Sequence, residues 1–165
     1  MGDSPRAFTP LHRALGLQPS ALTYVMLQSA IELQVTERGD LDWKERLPDR
    51  RNPKASEEFA KDVAAMVNGG GGMIVYGVAE DRVSSAAKEI VPVEEWTDAT
   101  ERKLRGWAYS LIQPPVHGLE FTPLEDAGDG SCVVVLSIPA SLEIPHFSMK
   151  DDALSLRFNL WRASH

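Results

Sequence analysis

Apolar positions along the chain fall into two rhythms, and the change from one to the other marks its centre. Between Glu57 and Val67 they recur at helical spacing, with Phe59, Val63, Met66 and Val67 at i, i+4, i+7 and i+8, one stripe of an amphipathic helix. Ser56 predicts the N-cap, and Glu57 and Glu58 suit the positive end of that helix. The run Asn68-Gly69-Gly70-Gly71-Gly72 closes it, with Gly69 expected as the left-handed residue past the last turn. The segment Met73–Val78 then shows no polar alternation, the signature of a central strand buried on both faces. Upstream, Ser20 predicts the cap of a helix over residues 21–35 whose apolar face is Leu22, Val25, Met26, Ile31 and Leu33. Gly39 breaks that pattern, and Leu41 and Trp43 alternating with Asp42 and Lys44 predict a half-buried strand.

Downstream, residues 79–95 read as acidic and irregular. Asp98 and Glu101 form a capping box for a helix carrying Leu104, Trp107, Ala108, Leu111 and Ile112, which Pro114-Pro115 ends. Two strands, over residues 116–124 and 132–138, are joined by Glu125-Asp126-Ala127-Gly128-Asp129-Gly130 as a hairpin loop, and Leu154–Phe158 alternates as a last strand. Pro5, Pro10 and Pro19 make residues 1–20 a loosely ordered N-terminal arm with one short helix at 11–15. The order α, β, α, β, α, β, β, β over residues 21–165 predicts one α/β (α+β) domain with a mixed sheet flanked by helices.

Composition narrows the function classes. With 165 residues, 43% of them hydrophobic, the chain has enough apolar mass for one sizeable core. Its one cysteine, Cys132, excludes a disulfide framework and a four-cysteine zinc site; at the head of an apolar run, it reads as a buried thiol. No run approaches the length of a membrane span, and the N-terminus lacks an apolar signal region, so we expect a cytoplasmic protein without a membrane partner. Asp and Glu outnumber Lys and Arg by 24 to 17, for a net charge of −7. That acidity argues against indiscriminate coating of nucleic acid, while Lys44, Arg46, Arg50, Arg51 and Lys54 offer a local basic cluster.

Two segments together carry a family likeness. Glu37-Arg38-Gly39-Asp40-Leu41-Asp42-Trp43-Lys44, followed by the helix, the glycine run and the strand ending Gly77-Val78-Ala79-Glu80-Asp81, resembles the Schlafen-type AlbA-like domain. That family carries Glu, four residues, Glu-Phe-Lys, then Asn-x-x-Gly-Gly and a strand closing in Gly-Val and acidic residues. Ile138-Pro139, Pro145-His146-Phe147 and Arg157 or Arg162 near Ser164 extend the match across residues 22–165. Asp42-Trp43 stands in place of Glu-Phe, and Ala163 in place of a glycine.

The resemblance implies a nucleic-acid-binding module for RNA or DNA. Lys44 and Arg46 would lie at phosphate, and Asn68, Gly71, Gly72 and His146 would make further contacts. In some Schlafen proteins three carboxylates hold Mg²⁺ or Mn²⁺ for endoribonuclease chemistry. Carried over by position these are Glu37, Asp42 and either Glu80 or Asp81, hard oxygen donors of the kind such ions prefer.

Each residue also has a plainer reading. Glu37 is a solvated loop charge, and Asp42 pairs with Lys44 or Arg46 across the surface. The glycines make a structural turn, and His146 is a half-buried structural histidine. Two other functions remain open: a non-catalytic regulatory or oligomerising module for a protein partner or a homodimer, and binding of ATP or another nucleotide. The glycines lack the Gly-Lys-Ser/Thr of a P-loop and lie between helix and strand, the reverse of that motif's order.

Overall fold

A computed structural model describes residues 7–150; the predicted strand 154–158, Arg157 and Arg162 lie outside them. The protein is built on a four-stranded sheet in the order β1 (Leu41–Lys44), β2 (Gly72–Tyr76), β7 (Cys132–Ile138), β6 (Glu120–Glu125). β1 runs parallel to β2 and the other neighbours are antiparallel, so the sheet is mixed, as expected. The parallel pair requires a crossover, which α3 (Ala55–Asn68) supplies. α3 and α4 (Asp98–Leu111) cover one face, packing Phe59, Val63, Val67 and Leu104 on Ile74, Tyr76, Val134 and Leu136. α1 (Pro10–Leu15) and α2 (Tyr24–Glu32) cover the other, where Leu11 and Leu27 meet Leu41, Trp43, Met73, Val75 and Val135. β2 is thus buried on both faces, and the stripe of α3 lies where its spacing put it. Burying Phe59 alone contributes on the order of 2 kcal/mol.

Local departures from the sequence reading have physical causes. α2 is capped by Thr23, whose side chain accepts from the Met26 amide; Ser20 instead meets His12 Nε2 at 2.9 Å. Val25 and Leu33 of the predicted α2 face are exposed, and Leu27 and Ala30 are buried in their place. α3 begins one residue before Ser56, which is buried within its first turn. Thr97, not Asp98, caps α4. Thr9 forms a capping box with His12 on α1, and Leu11 and His12 are fully buried, so the stretch read as an arm is packed from Thr9 onward. Residues 79–95, read as irregular, contain a hairpin of β3 (Val78–Glu80) and β4 (Ala87–Ile90). β5 (Ile112–Gln113) pairs with β8 (Phe147–Ser148).

The glycine run makes the turn from α3 into β2. Gly69 has an ordinary φ of −82°; the positive values fall at Gly70 (101°), Gly71 (90°) and Gly72 (156°). A Cβ on Gly71 would stand 2.7 Å from the Ile138 carbonyl oxygen and 2.8 Å from the Ala140 nitrogen. One on Gly72 would collide with the backbone of Asp40. Only glycine lets β2 lie this close to both neighbouring chain segments.

Candidate functional site

Alternation along β1 divides its side chains between the two layers. Leu41 and Trp43 enter the α1/α2 core. Asp42 and Lys44, in register with Ile74 and Tyr76, point with them toward the α3 side. β1 is the last strand of the sheet, so these polar groups sit at the rim of the core. Lys44 Nζ lies 3.3 Å from Asp42 Oδ2 and 3.5 Å from Asp62 Oδ2 on α3. Burial works against the ammonium, but Asp42 and Asp62 together outweigh it and hold the Lys44 pKa above its ordinary range. Burial raises the Asp62 carboxyl despite the pull of Lys44. It also raises the phenol of Tyr76, which lies behind the cluster. A cleft of about 210 Å³ opens beside these groups; its charged lining is Lys44, Arg46, Asp49, Glu58 and Asp62, with Tyr76 behind.

Glu37 stands at the outer edge of β1. Its Oε1 accepts the Trp43 amide at 2.9 Å, satisfying a strand N–H that faces away from β2, and the Trp43 indole donates to the Val35 carbonyl at 3.0 Å. Burial first, then a hydrogen bond to Asp42, push the Glu37 carboxyl up to about 8, with Glu80 adding repulsion. Glu37 therefore holds its proton to higher pH than an exposed glutamate does. Glu37, Asp42, Lys44 and Asp62 form one connected chain of polar groups, with Glu80 close enough to act on it through charge. The Asp42–Lys44 pair anticipated on the strand is present.

The family model described as Schlafen, AlbA_2 matches residues 37–159. The chain belongs to that family. Among solved structures it is similar to the N-terminal domain of an ATP-dependent DNA helicase RecG-related protein from Nitrosomonas europaea, determined by solution NMR. The likeness has a TM-score of 0.50 at 14% identity and covers 84% of this chain and 88% of the other; it bears on the fold. No curated protein is similar enough to count as a match.

In this Schlafen AlbA_2 domain the remaining predicted site residues lie apart from the cluster. Asp81 is bound to its own turn: Oδ1 accepts the Val83 and Ser84 amides at 3.0 and 2.9 Å and the Ser84 hydroxyl at 3.1 Å. Those bonds, the Ser84 amide first, lower its pKa. Asn68 is an interlock, not a free amide. Its Nδ2 donates to the His146 carbonyl at 2.8 Å, and its Oδ1 accepts the His146 amide at 2.7 Å. The His146 ring is 2% exposed, donates from Nδ1 to the Pro114 carbonyl at 2.6 Å and meets Ser141 Oγ through Nε2 at 2.8 Å. Both ring nitrogens are used, so His146 has no polar atom to offer a ligand. Gly71 and Gly72 are taken up by backbone packing.

The residues as arranged do not fit Mg²⁺ or Mn²⁺. Among the described residues no three His, Cys, Asp or Glu side chains are placed to hold a metal ion. Lys44 pairs with Asp42, Glu37 Oε1 is taken up by the Trp43 amide, and Asp81 serves its turn. Asp62 is the member of the cluster that the sequence reading missed. No motif marks it, and its signal is a lone carboxylate beside Phe59 and Val63 on the flank of an apolar stripe.

Proposed function

We propose that this domain binds nucleic acid through the sugar-phosphate backbone, RNA foremost, at the rim between β1 and α3. One observation carries the reading. Lys44, which closes the family's Glu-to-Lys segment, keeps its side chain 37% exposed on the wall of a cleft that Arg46 also lines. An ammonium and a guanidinium at one cleft suit phosphate oxygens. The family supports the ligand class, and a cytoplasmic location accords with it. The acidic average confines attraction to this rim, so few phosphates are contacted and affinity is modest.

The test is equilibrium binding of a labelled RNA hairpin, beside DNA of the same sequence, to wild type, Lys44→Met and Arg46→Ala. Each loss should weaken RNA binding several-fold and lower the salt slope by about one. Binding unchanged by both substitutions would refute the placement. The metal-dependent endoribonuclease is the finer alternative at the same rim, with Glu37, Asp42 and Glu80 as its acids. Cleavage of the hairpin in Mn²⁺ that EDTA and Asp42→Asn both abolish would establish it.

A further inference from the structure

Asp62 stands across the cleft from β1 and draws the Lys44 ammonium toward α3. Asp42 lies on the same strand and face as Lys44, two residues away. Asp62 belongs to another element and touches Lys44 only while the side chain reaches toward the helix. An ammonium has three donors, and this one lies 3.3 and 3.5 Å from two carboxylates. A phosphate entering the cleft must displace one of them or accept what remains.

We propose that Asp62 is a positioning residue that competes with ligand phosphate for Lys44 and so sets the affinity of the site. The inference rests on the nucleic-acid reading above. Nothing in the glycine or Glu-to-Lys motifs contains Asp62; only the crossover through α3 brings it to the strand. The carboxylate holds Lys44 charged and drawn across the cleft, which Asp49 and Glu58 also line. Ligand therefore binds by exchanging one anionic partner for another. Weak attachment at a chosen place, in place of indiscriminate adhesion, is what an acidic protein gains from this arrangement.

The experiment is a double-mutant cycle with the labelled RNA hairpin, using wild type, Asp62→Asn, Lys44→Met and the double variant, with Glu58→Gln as a charge control. Asp62→Asn should tighten binding about two- to fivefold, the range expected when a partly exposed ion pair is released. In the Lys44→Met background the same change should have almost no effect. Glu58→Gln removes the same charge from α3 without touching Lys44 and should tighten binding less than Asp62→Asn. Asp62→Ser gives the same comparison if asparagine disturbs the helix, with melting temperature confirming the fold. Equal tightening by Asp62→Asn and Glu58→Gln, or in both Lys44 backgrounds, overturns the proposal and reduces Asp62 to a general surface charge. Binding that depends on Lys44 but ignores Asp62 overturns the gate alone. An absence of binding by wild type and Asp62→Asn alike overturns the gate and the nucleic-acid reading together.

Discussion

Glu37 shows how one side chain can serve the strand edge and the polar cluster at once. Its carboxyl receives the Trp43 amide and, beside Asp42, holds its proton to higher pH than an exposed glutamate does. The native state therefore binds a proton more tightly than the unfolded chain, whose glutamate titrates near 4.5. The stability this proton contributes is complete below that value and is lost as pH rises through about 8. Melting temperature followed from pH 5 to 9 should fall through this window for wild type. Glu37→Gln keeps a neutral donor and acceptor and should flatten the fall; equal slopes for the two proteins would contradict the raised pKa. Asn68 is a second residue-scale case. Asn68→Ala deletes both bonds to the His146 backbone and should cost about 1–3 kcal/mol, read by chemical denaturation. Glu37 and Asp42 were legible together through the family's Glu-to-Lys segment, and alternation put Asp42 on the polar face of the strand. Asp62 was not, since helix periodicity names a face and says nothing of which strand position that face meets. His146 was named through the family's Pro-His dipeptide, with a half-buried structural histidine as the plainer reading; its burial depends on Pro114 and Ser141, which no local pattern connects to it.

Among the elements, the α3–β2 turn is the most constrained by sequence. Gly70 and Gly72 both have positive φ, yet their surroundings differ: nothing lies within 4 Å of a Cβ at Gly70, whereas one at Gly72 meets Asp40 backbone. Gly70→Ala should thus cost roughly 1 kcal/mol of backbone strain, while Gly72→Ala should cost several kcal/mol or prevent folding, by the steric rule for incompatible sites. Thermal melting of the pair checks the contrast, and equal losses would contradict the close approach. α1 makes a complementary test, because its prolines suggested a loose arm while Leu11 is fully buried. Leu11→Ala should cost about 2–5 kcal/mol, as other buried leucines do. α3, β2 and the β6–β7 hairpin were legible because period, length and turn chemistry agreed. The β3–β4 hairpin was hidden by its charged outer face; the caps of α2 and α4 slipped because a nearby threonine offered equally good capping chemistry, whereas α3 starts at Ala55 with no side-chain cap.

At the scale of the whole molecule, an acidic protein is proposed to meet an anionic ligand at one rim of its sheet. Mixed topology, two helical layers and family membership were all readable from residue order. Where the ligand attaches was readable only as far as Lys44, because the cleft is assembled by the crossover between β1 and β2. The most direct measurement is amide NMR mapping of the labelled protein titrated with the RNA hairpin. The account predicts that shifts concentrate on Asp42–Leu47 and the α3 residues around Asp62, that Lys44→Met removes them, and that the turn at Asp81 and the buried His146 stay still. Shifts centred elsewhere, or none in a folded protein, would contradict it.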